Sequence, residues 1–466
     1  MAKGKNSLKD KLLYSQKHIE KIITKDQKNK CQKFSEGYKE FLKICKTERE
    51  CVEFIKEKAE KLGFKEYELN KKYKAGNKVY YINKSKAMFV LTIGKKSLAE
   101  GLNIVASHID SPRIDLKAKP LYEDSEIAYF KTNYYGGLRK YQWPTLPLAL
   151  HGRIMKKDGQ ELDICIGEKE DDPVFYITDL LPHLADEQAQ RPLSRAISGE
   201  DLNLIVGSLP YCEEDIDGAN LVKLNIMKIL NDKYGIVEKD LINAELSLVP
   251  ALLPRDVGLD RGLIGAYGQD DRVCAYASLM AHLELKTPNY TTITMFADKE
   301  EVGSEGNTGL NSLILEYFVQ NLAQQQGANY REVLANSKCL SADVNAAFDP
   351  SWAGVFERQN TARVNYGAVV TKYTGSRGKS GTSDASAEFM YEITSLLDKN
   401  DVIWQTGMLG KVDTGGGGTV AKYIAKLNVD VVDFGVPVLS MHAPYELTSK
   451  LDVFMLNKAF KAFINR

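Results

Sequence analysis

Two histidines in this sequence stand at the ends of apolar, strand-like runs, and each has a carboxylate close by. His108 lies at the end of the run 103–109 and is followed by Asp110, while His442 follows the run 436–440. Active sites in open α/β sheets gather at the carboxyl ends of strands. Imidazole and carboxylate groups bind divalent metals and also act as general bases. These two segments are therefore our first candidates for an active site.

Three acidic segments occupy the same kind of position, at a strand end or in a loop. They are Asp270-Asp271 before the helix predicted from Val273, Asp298 with Glu300 and Glu301 after the run 291–297, and Asp343 after the run 338–342. On their own, the two adjacent glutamates are more typical of a surface pair than of an active site. Together with the two histidines, however, these acids are predicted to lie on one rim of one sheet.

Such a set has the composition of a site for two divalent metals. Each metal would take one histidine and one acid, and a further acid would bridge them. Donor groups without thiolate suit zinc, and also manganese or cobalt. Paired metals lower the pKa of a bound water and polarise a carbonyl group, which is the chemistry of aminopeptidases and phosphatases. Asp110 is placed to orient His108, although it is also typical of a turn cap before Ser111-Pro112.

The composition excludes several classes of protein. The chain has 466 residues with 62 basic and 62 acidic side chains, and this zero net charge argues against a globally basic nucleic-acid binder. Seven scattered cysteines without a CxxC motif argue against disulfides and thiolate-bound zinc, and favour a reducing cytosol. There is no long apolar run and no signal-peptide pattern at the charged N-terminus. We expect a cytoplasmic protein that binds neither nucleic acid nor membrane.

Helices and strands alternate in the first and last parts of the chain. Helical spacing of apolar residues covers 7–62, where Thr47 and Glu50 predict a capping box. Strands are predicted at 78–83, 88–93, 103–109, 291–297, 338–343, 402–405, 430–434 and 436–442, and helices at 273–285, 309–325, 383–397, 419–427 and 450–464. This alternation predicts an α/β fold, a mixed sheet covered by helices on both faces.

The middle of the chain has a different texture. From 111 to 250 short strands predominate between turn signals such as Tyr135-Gly136-Gly137, and the only predicted helix lies near 219–232. We interpret this section as a mostly β domain inserted into the first. The catalytic domain then consists of residues 1–110 and 251–466, and the inserted domain of residues 111–250.

The motifs, in this order, resemble those of the aspartyl aminopeptidase and vacuolar aminopeptidase I family of dinuclear zinc metallopeptidases. They are ASHIDSPR at 106–113, DDR at 270–272, DKEEVGS at 298–304, SAD at 341–343 and SMH at 440–442. The resemblance extends from about residue 35 to the end of the chain. It implies a zinc-aminopeptidase-like fold with two zinc ions per subunit, with cobalt or manganese as the alternative metals.

The resemblance also implies a role for each residue. His108 and His442 would bind metal, on the same ion or on opposite ones, and Asp270 would bridge the two metals. Glu301 and Asp343 would be the remaining ligands. Glu300 would be the general base, and Asp110 would support His108 from behind; the metal ligands implied are His108, Asp270, Glu301, Asp343 and His442.

In this family the inserted domain makes dimer contacts, and dimers assemble into a tetrahedral dodecamer. The segment PHLA at 182–185 resembles a family segment that reaches into a neighbouring subunit's site, which makes His183 a candidate for stabilising the reaction intermediate there. The alternative is a histidine on the surface. We therefore expect a homo-oligomer that acts on short peptides.

Two segments depart from the family pattern on the side that binds substrate. NAAFDP at 345–350 stands where family members often carry further histidines, and TGSRGKSG at 374–381 replaces a polar stretch. Lys372, Arg377 and Lys379 are candidates for binding an acidic substrate residue, or are simply solvated. The glycine run 415–418 is predicted to open a helix and to approach a bound peptide, with a structural turn as the equal alternative; it lacks the lysine of a P-loop.

The leading hypothesis is a metal-dependent aminopeptidase, a hydrolase that removes N-terminal residues, acidic ones among the candidates, from short peptides. Two alternatives stay open. The first is a dinuclear metal deacylase of N-acyl amino acids, which would differ in requiring an acylated amine. The second is a catalytically inactive, peptide-binding shell protein, against which the complete ligand set argues.

Overall fold

A mixed sheet of nine strands forms the centre of the molecule in a computed structural model that describes residues 8–212 and 216–466. Four adjacent central strands run parallel, and the flanking strands include antiparallel neighbours. In spatial order the strands are Lys65–Glu66, Lys78–Asn83, Ala87–Thr92, Thr291–Ala297, Leu102–His108, Lys338–Ala342, Asp430–Gly435, Ala368–Thr371 and Trp404–Thr406.

Helices cover both faces of this sheet, as the sequence predicted. The helices of the described chain are Leu8–Leu12, Lys25–Ile44, Glu48–Lys61, Asp186–Ala189, Leu221–Tyr234, Gln269–Leu283, Ile314–Gln326, Tyr330–Ala335, Ala387–Lys399, Ala421–Ala425 and Lys450–Ile464. One buried apolar cluster joins five of the longer helices to one face, and a second joins Ile314–Gln326, Tyr330–Ala335 and Ala421–Ala425 to the other. The α/β fold class is therefore confirmed.

The N-terminal helical region begins with interruptions that the periodicity did not predict. A short helix Leu8–Leu12 is separated from Lys25–Ile44, which begins at a capping box formed by Thr24. The predicted box at Thr47 is present, with the Glu50 carboxylate accepting hydrogen bonds from backbone N–H groups at the start of Glu48–Lys61. Residue 7, where the predicted helical region starts, lies outside the described residues.

A six-stranded antiparallel sheet contains the strands of the middle section. In spatial order they are Glu161–Ile166, Leu148–Met155, Ala244–Pro250, Arg113–Asp124, Ile127–Tyr135 and Leu204–Gly207. The helix Leu221–Tyr234 packs against this sheet, and together they form a buried apolar cluster separate from those of the large sheet. We call residues 111–250 the inserted unit.

A third sheet of five short strands changes one expectation about the site. Its strands are Arg255–Val257, Leu263–Ala266, Glu446–Ser449, Pro437–Leu439 and Asn345–Ala346. His442 lies in the turn between Pro437–Leu439 and Glu446–Ser449. The expectation that every site residue lies on one rim of one sheet is therefore wrong. The chain leaves the large sheet after Gly435, and His442 reaches the site from the smaller, third sheet.

The glycine run also differs from its prediction. Gly416–Gly417 pairs with Gly375–Ser376 in a two-stranded ribbon, and the following helix begins at Ala421. A Cβ atom on Gly416 would lie 2.3 Å from the Gly375 carbonyl oxygen. The glycine therefore permits close approach to the chain's own backbone. Among the described residues, no helix is long and apolar enough to cross a membrane.

Candidate metal centre

Three adjacent parallel strands of the large sheet deliver the first half of the centre. His108 ends Leu102–His108, and the neighbouring strands end just before Asp298 and Asp343. Their carboxyl ends meet at one edge of the sheet because the strands run parallel. This part of the predicted site is brought together by strand order alone.

His108 is held with one ring nitrogen turned away from the cluster. Its Nδ1 atom lies 3.1 Å from the Asp110 carbonyl oxygen and 3.3 Å from the Asp110 carboxylate. Both neighbours are acceptors, so the proton belongs on Nδ1. Nε2 is therefore the ring nitrogen that faces the cluster, with Asp270 at 3.2 Å and Asp343 at 3.8 Å.

His442 is arranged in the same way on the opposite side. Its Nδ1 atom donates to the Gly137 carbonyl oxygen at 2.8 Å. Nε2 then faces the Asp270 carboxylate at 3.1 Å and Glu301 at 3.4 Å. Each histidine thus turns Nε2 toward a pair of carboxylates while Nδ1 is held from outside the cluster, which is the orientation that metal-binding histidines have in proteins.

Asp270 stands between the two histidines. Its Oδ1 atom lies next to His108 and its Oδ2 atom next to His442. Asp270 and Asp271 have non-helical backbone angles, and the regular part of the helix Gln269–Leu283 follows them. The carboxylate can therefore leave the helix axis and serve both sides of the cluster.

The turn that carries Glu300 and Glu301 is fastened to Asp110. The backbone N–H groups of Glu300 and Glu301 donate to the two carboxylate oxygens of Asp110 at 3.1 and 3.2 Å. Asp110 is fully buried, so these bonds are shielded from water. A single carboxylate thus orients His108 and positions the glutamate pair.

Several buried oxygen atoms of the cluster have no hydrogen-bond partner. They are Oδ1 of Asp270, both carboxylate oxygens of Asp271 and Oε1 of Glu301. A buried carboxylate is costly unless it is paired or coordinates a metal. The carboxylates around the two histidines carry more negative charge than these rings can balance. The donor set and its unpaired oxygens therefore fit divalent cations bound between them.

The proton affinities reflect the same excess of negative charge. Burial raises the pKa of Glu300 to about 8; His108 opposes this rise, and Asp343 and Asp270 add to it. Burial disfavours the charged form of His442, but Asp270 and Glu301 outweigh this effect and raise the pKa of His442 to about 11. In the chain alone, protons take up the charge that a cation would otherwise balance.

Sequence reasoning left three supporting residues without a role. The Glu446 carboxylate accepts from the backbone N–H groups of His442 at 2.7 Å and Asp270 at 3.1 Å. Tyr135 donates to the Asp110 carboxylate at 2.9 Å, and Gly137 accepts from His442. The spacing of His442 and Glu446 was visible in the sequence, whereas the contacts of Tyr135 and Gly137 depend on how the inserted unit packs.

His183 lies apart from this cluster. It is exposed in the short 3-10 turn Pro182–Leu184 of the inserted unit, and within the described chain it makes no hydrogen bond or ion pair to the cluster. Lys372, Arg377 and Lys379 are also exposed. Lys379 forms an ion pair with Asp384 at 2.6 Å.

A separate group around His151 joins the inserted unit to the catalytic part of the chain. His151 Nδ1 lies 2.7 Å from Glu50 and Nε2 lies 3.0 Å from Glu168, which also contacts Lys46 at 2.9 Å. Cys165 is close to Glu50 and His151 as well. Both ring nitrogens face carboxylates at hydrogen-bonding distance, so the group is accounted for as a network of ion pairs that fixes the inserted sheet.

A largely buried cluster of two histidines and several carboxylates, set at the end of a helix-covered mixed sheet, has the composition and position of the site of a metal-dependent hydrolase. Known proteins specify the class further. Residues 41–464 match the family described as aminopeptidase I zinc metalloprotease (M18). The chain belongs to the M18 family and is a metal-dependent aminopeptidase.

Close relatives share nearly the whole chain. A probable M18 family aminopeptidase 1 of Clostridium acetobutylicum is 49% identical over 436 residues, covering 92% of this chain and 93% of that protein. The crystal structure of an M18 aminopeptidase from Thermotoga maritima has a TM-score of 0.92 at 43% identity, covering 97% and 100% of the two chains. The yeast mApe1 dodecamer shares the fold, with a TM-score of 0.75 at 21% identity over 93% and 97%.

Proposed function

We propose that this aminopeptidase is dinuclear and that its two metal positions share Asp270. His108 and Asp343 belong to one position, and His442 and Glu301 to the other. The observation that carries the proposal is that the two oxygens of Asp270 face different histidines, at 3.2 and 3.1 Å. When bound, zinc supplies the Lewis acidity that polarises a peptide carbonyl and lowers the pKa of water.

The residues of the chain then divide the remaining work. Glu300 lies in the turn held by Asp110, directly before Glu301, so its carboxylate is placed beside the proposed metal positions as the proton acceptor. It takes a proton from the attacking water as the water oxygen bonds to the carbonyl carbon. The same proton passes to the leaving nitrogen as the C–N bond breaks, which restores the carboxylate.

A free α-amino group distinguishes an aminopeptidase from the alternative deacylase. Acetylation removes both the free amine and the positive charge of the substrate's N-terminus. We expect cleavage of aminoacyl p-nitroanilides and no cleavage of their N-acetyl counterparts, measured with added zinc, cobalt or manganese. Faster cleavage of the N-acetylated series would contradict the assignment. Aspartyl and glutamyl substrates in the same panel test the preference for acidic residues.

We propose further that the inserted unit makes dimer contacts and that dimers assemble into a tetrahedral dodecamer. The yeast relative mApe1 forms a dodecamer. The inserted unit has several exposed leucines, of which Leu180, Leu181 and Leu184 are near His183 in the sequence. Exposed apolar patches of this kind are typical of protein interfaces.

All seven cysteines are free, which supports a reducing, cytoplasmic location.

Subunit mixing tests whether His183 acts in a neighbour's site. Chains with His183→Ala and chains with Glu300→Gln should each be nearly inactive. Mixed oligomers should recover up to about a quarter of wild-type activity, since half of random pairs are mixed and each has one complete site. No recovery in assemblies shown by light scattering to be mixed would place the whole site within one chain, and a monomer at micromolar concentration would contradict the assembly itself.

A further inference from the structure

The turn Tyr135-Gly136-Gly137, at the end of the strand Ile127–Tyr135, brings the inserted unit into contact with the metal centre of the same chain. Tyr135 donates to the Asp110 carboxylate, and the Gly137 carbonyl accepts from His442. Gly136 packs against Glu301, where an added Cβ atom would lie 3.2 Å from the Glu301 Cβ atom. Three consecutive residues therefore touch three different members of the site.

We propose that this turn is a positioning element of the metal centre, acting within its own chain on both histidines. It acts on His442 directly, because the Gly137 carbonyl accepts the hydrogen bond from Nδ1 and so keeps Nε2 turned toward Asp270 and Glu301. It acts on His108 through Asp110, whose carboxylate is held in place by the Tyr135 hydroxyl. The inference rests on the proposed function, since it takes these histidines as metal ligands.

The Tyr135 ring is linked to the catalytic part of the chain through Arg113. The buried guanidinium of Arg113 lies 4.0 Å from the centre of the Tyr135 ring. Arg113 also contacts Glu48 at 3.2 Å and Asp115 at 2.8 Å. Glu48 opens the helix Glu48–Lys61, so the ring is fastened to the catalytic side while its hydroxyl reaches Asp110.

The glycines of the turn are required by the close approach. Gly136 has a φ angle of +76°, which a side chain would strain, and it lies against Glu301. A Cβ atom on Gly137 would lie 3.2 Å from His442 Nδ1, which is closer than a carbon and a ring nitrogen normally approach. A larger residue at either position would displace a proposed metal ligand.

Tyr135→Phe tests the inference, with Tyr134→Phe as the matched control. Tyr134 is the neighbouring tyrosine and is 42% exposed. Outer partners of metal ligands typically contribute 10–100-fold to metal affinity, and Tyr135 acts through Asp110, so we expect about a 10-fold weaker zinc affinity in Tyr135→Phe. Zinc affinity is measured by competition with a chromogenic chelator, and the unfolding temperature of the metal-free protein is measured in parallel.

The inference predicts weaker zinc binding by Tyr135→Phe, wild-type binding by Tyr134→Phe, and similar unfolding temperatures for the metal-free variants. Equal zinc affinity in the two variants and the wild type would overturn the inference and leave the proposed function intact. Weaker binding explained by a lower unfolding temperature of metal-free Tyr135→Phe would also overturn it, since the role would then be structural. A wild-type chain that binds no zinc would overturn the proposed function first.

Discussion

Glu300→Gln is expected to lower kcat by about 10²–10⁴-fold while the protein retains its zinc and binds substrate normally. Glutamine keeps the size and polarity of the side chain but cannot accept a proton from water. Because Glu300 is assigned no metal, the loss should appear in kcat, with KM nearly unchanged. Steady-state kinetics and metal analysis on the same preparation test both parts.

Glu305→Gln is the control for this experiment. Glu305 is exposed in the same loop, and its carboxylate accepts from Asn311 rather than facing the cluster. Its substitution should leave kcat close to the wild-type value. If Glu300→Gln instead loses zinc, Glu300 is a ligand, and the roles of Glu300 and Glu301 are reversed.

Asp270→Asn is expected to abolish activity by removing the shared ligand. An asparagine side chain offers one carbonyl oxygen and one amide nitrogen that carries hydrogens, so it cannot give an oxygen to each position. We expect a loss of at least one zinc per chain and a fall in activity of several orders of magnitude. Chelation of the wild type should have the same effect, with zinc, cobalt or manganese restoring activity.

Asp433→Asn is the matched substitution for this second experiment. Asp433 is a buried carboxyl on the strand Asp430–Gly435, which pairs with the strand that leads to Asp343. It accepts a hydrogen bond from Thr419, and burial raises its pKa to about 7. A neutral amide therefore replaces a buried carboxyl whose pKa is raised and to which no metal is assigned. Asp433→Asn should keep its full zinc content. Full zinc content in Asp270→Asn as well would contradict the bridging role of Asp270.

Most of the large sheet and of its helices was predictable because apolar periodicity encodes them, whereas the short strand Ala368–Thr371 and the short helix Tyr330–Ala335 were not predicted. The strands Lys78–Asn83 and Thr291–Ala297 and the helix Lys450–Ile464 begin and end where the pattern predicts. His108 and Asp343 could be placed from the same information, because each follows a buried strand. Strand order in a parallel sheet then brings them together without further specification.

The second half of the centre was harder to predict because its position depends on tertiary packing. The run around 436–440 is apolar enough to resemble a strand of the large sheet, yet Gly435 ends that strand and Pro437–Leu439 pairs elsewhere. The contacts of Gly137 with His442 join residues about 300 positions apart in the chain. No local pattern of residues encodes such a contact.

The central claim is that two metals share Asp270, and anomalous diffraction from zinc-loaded crystals tests it most directly. The account predicts two zinc peaks per chain, both bonded to Asp270, with His108 and Asp343 on one and His442 and Glu301 on the other, at bond lengths of about 2.0–2.2 Å. A single fully occupied peak, or two peaks of which only one is bonded to Asp270, would contradict it.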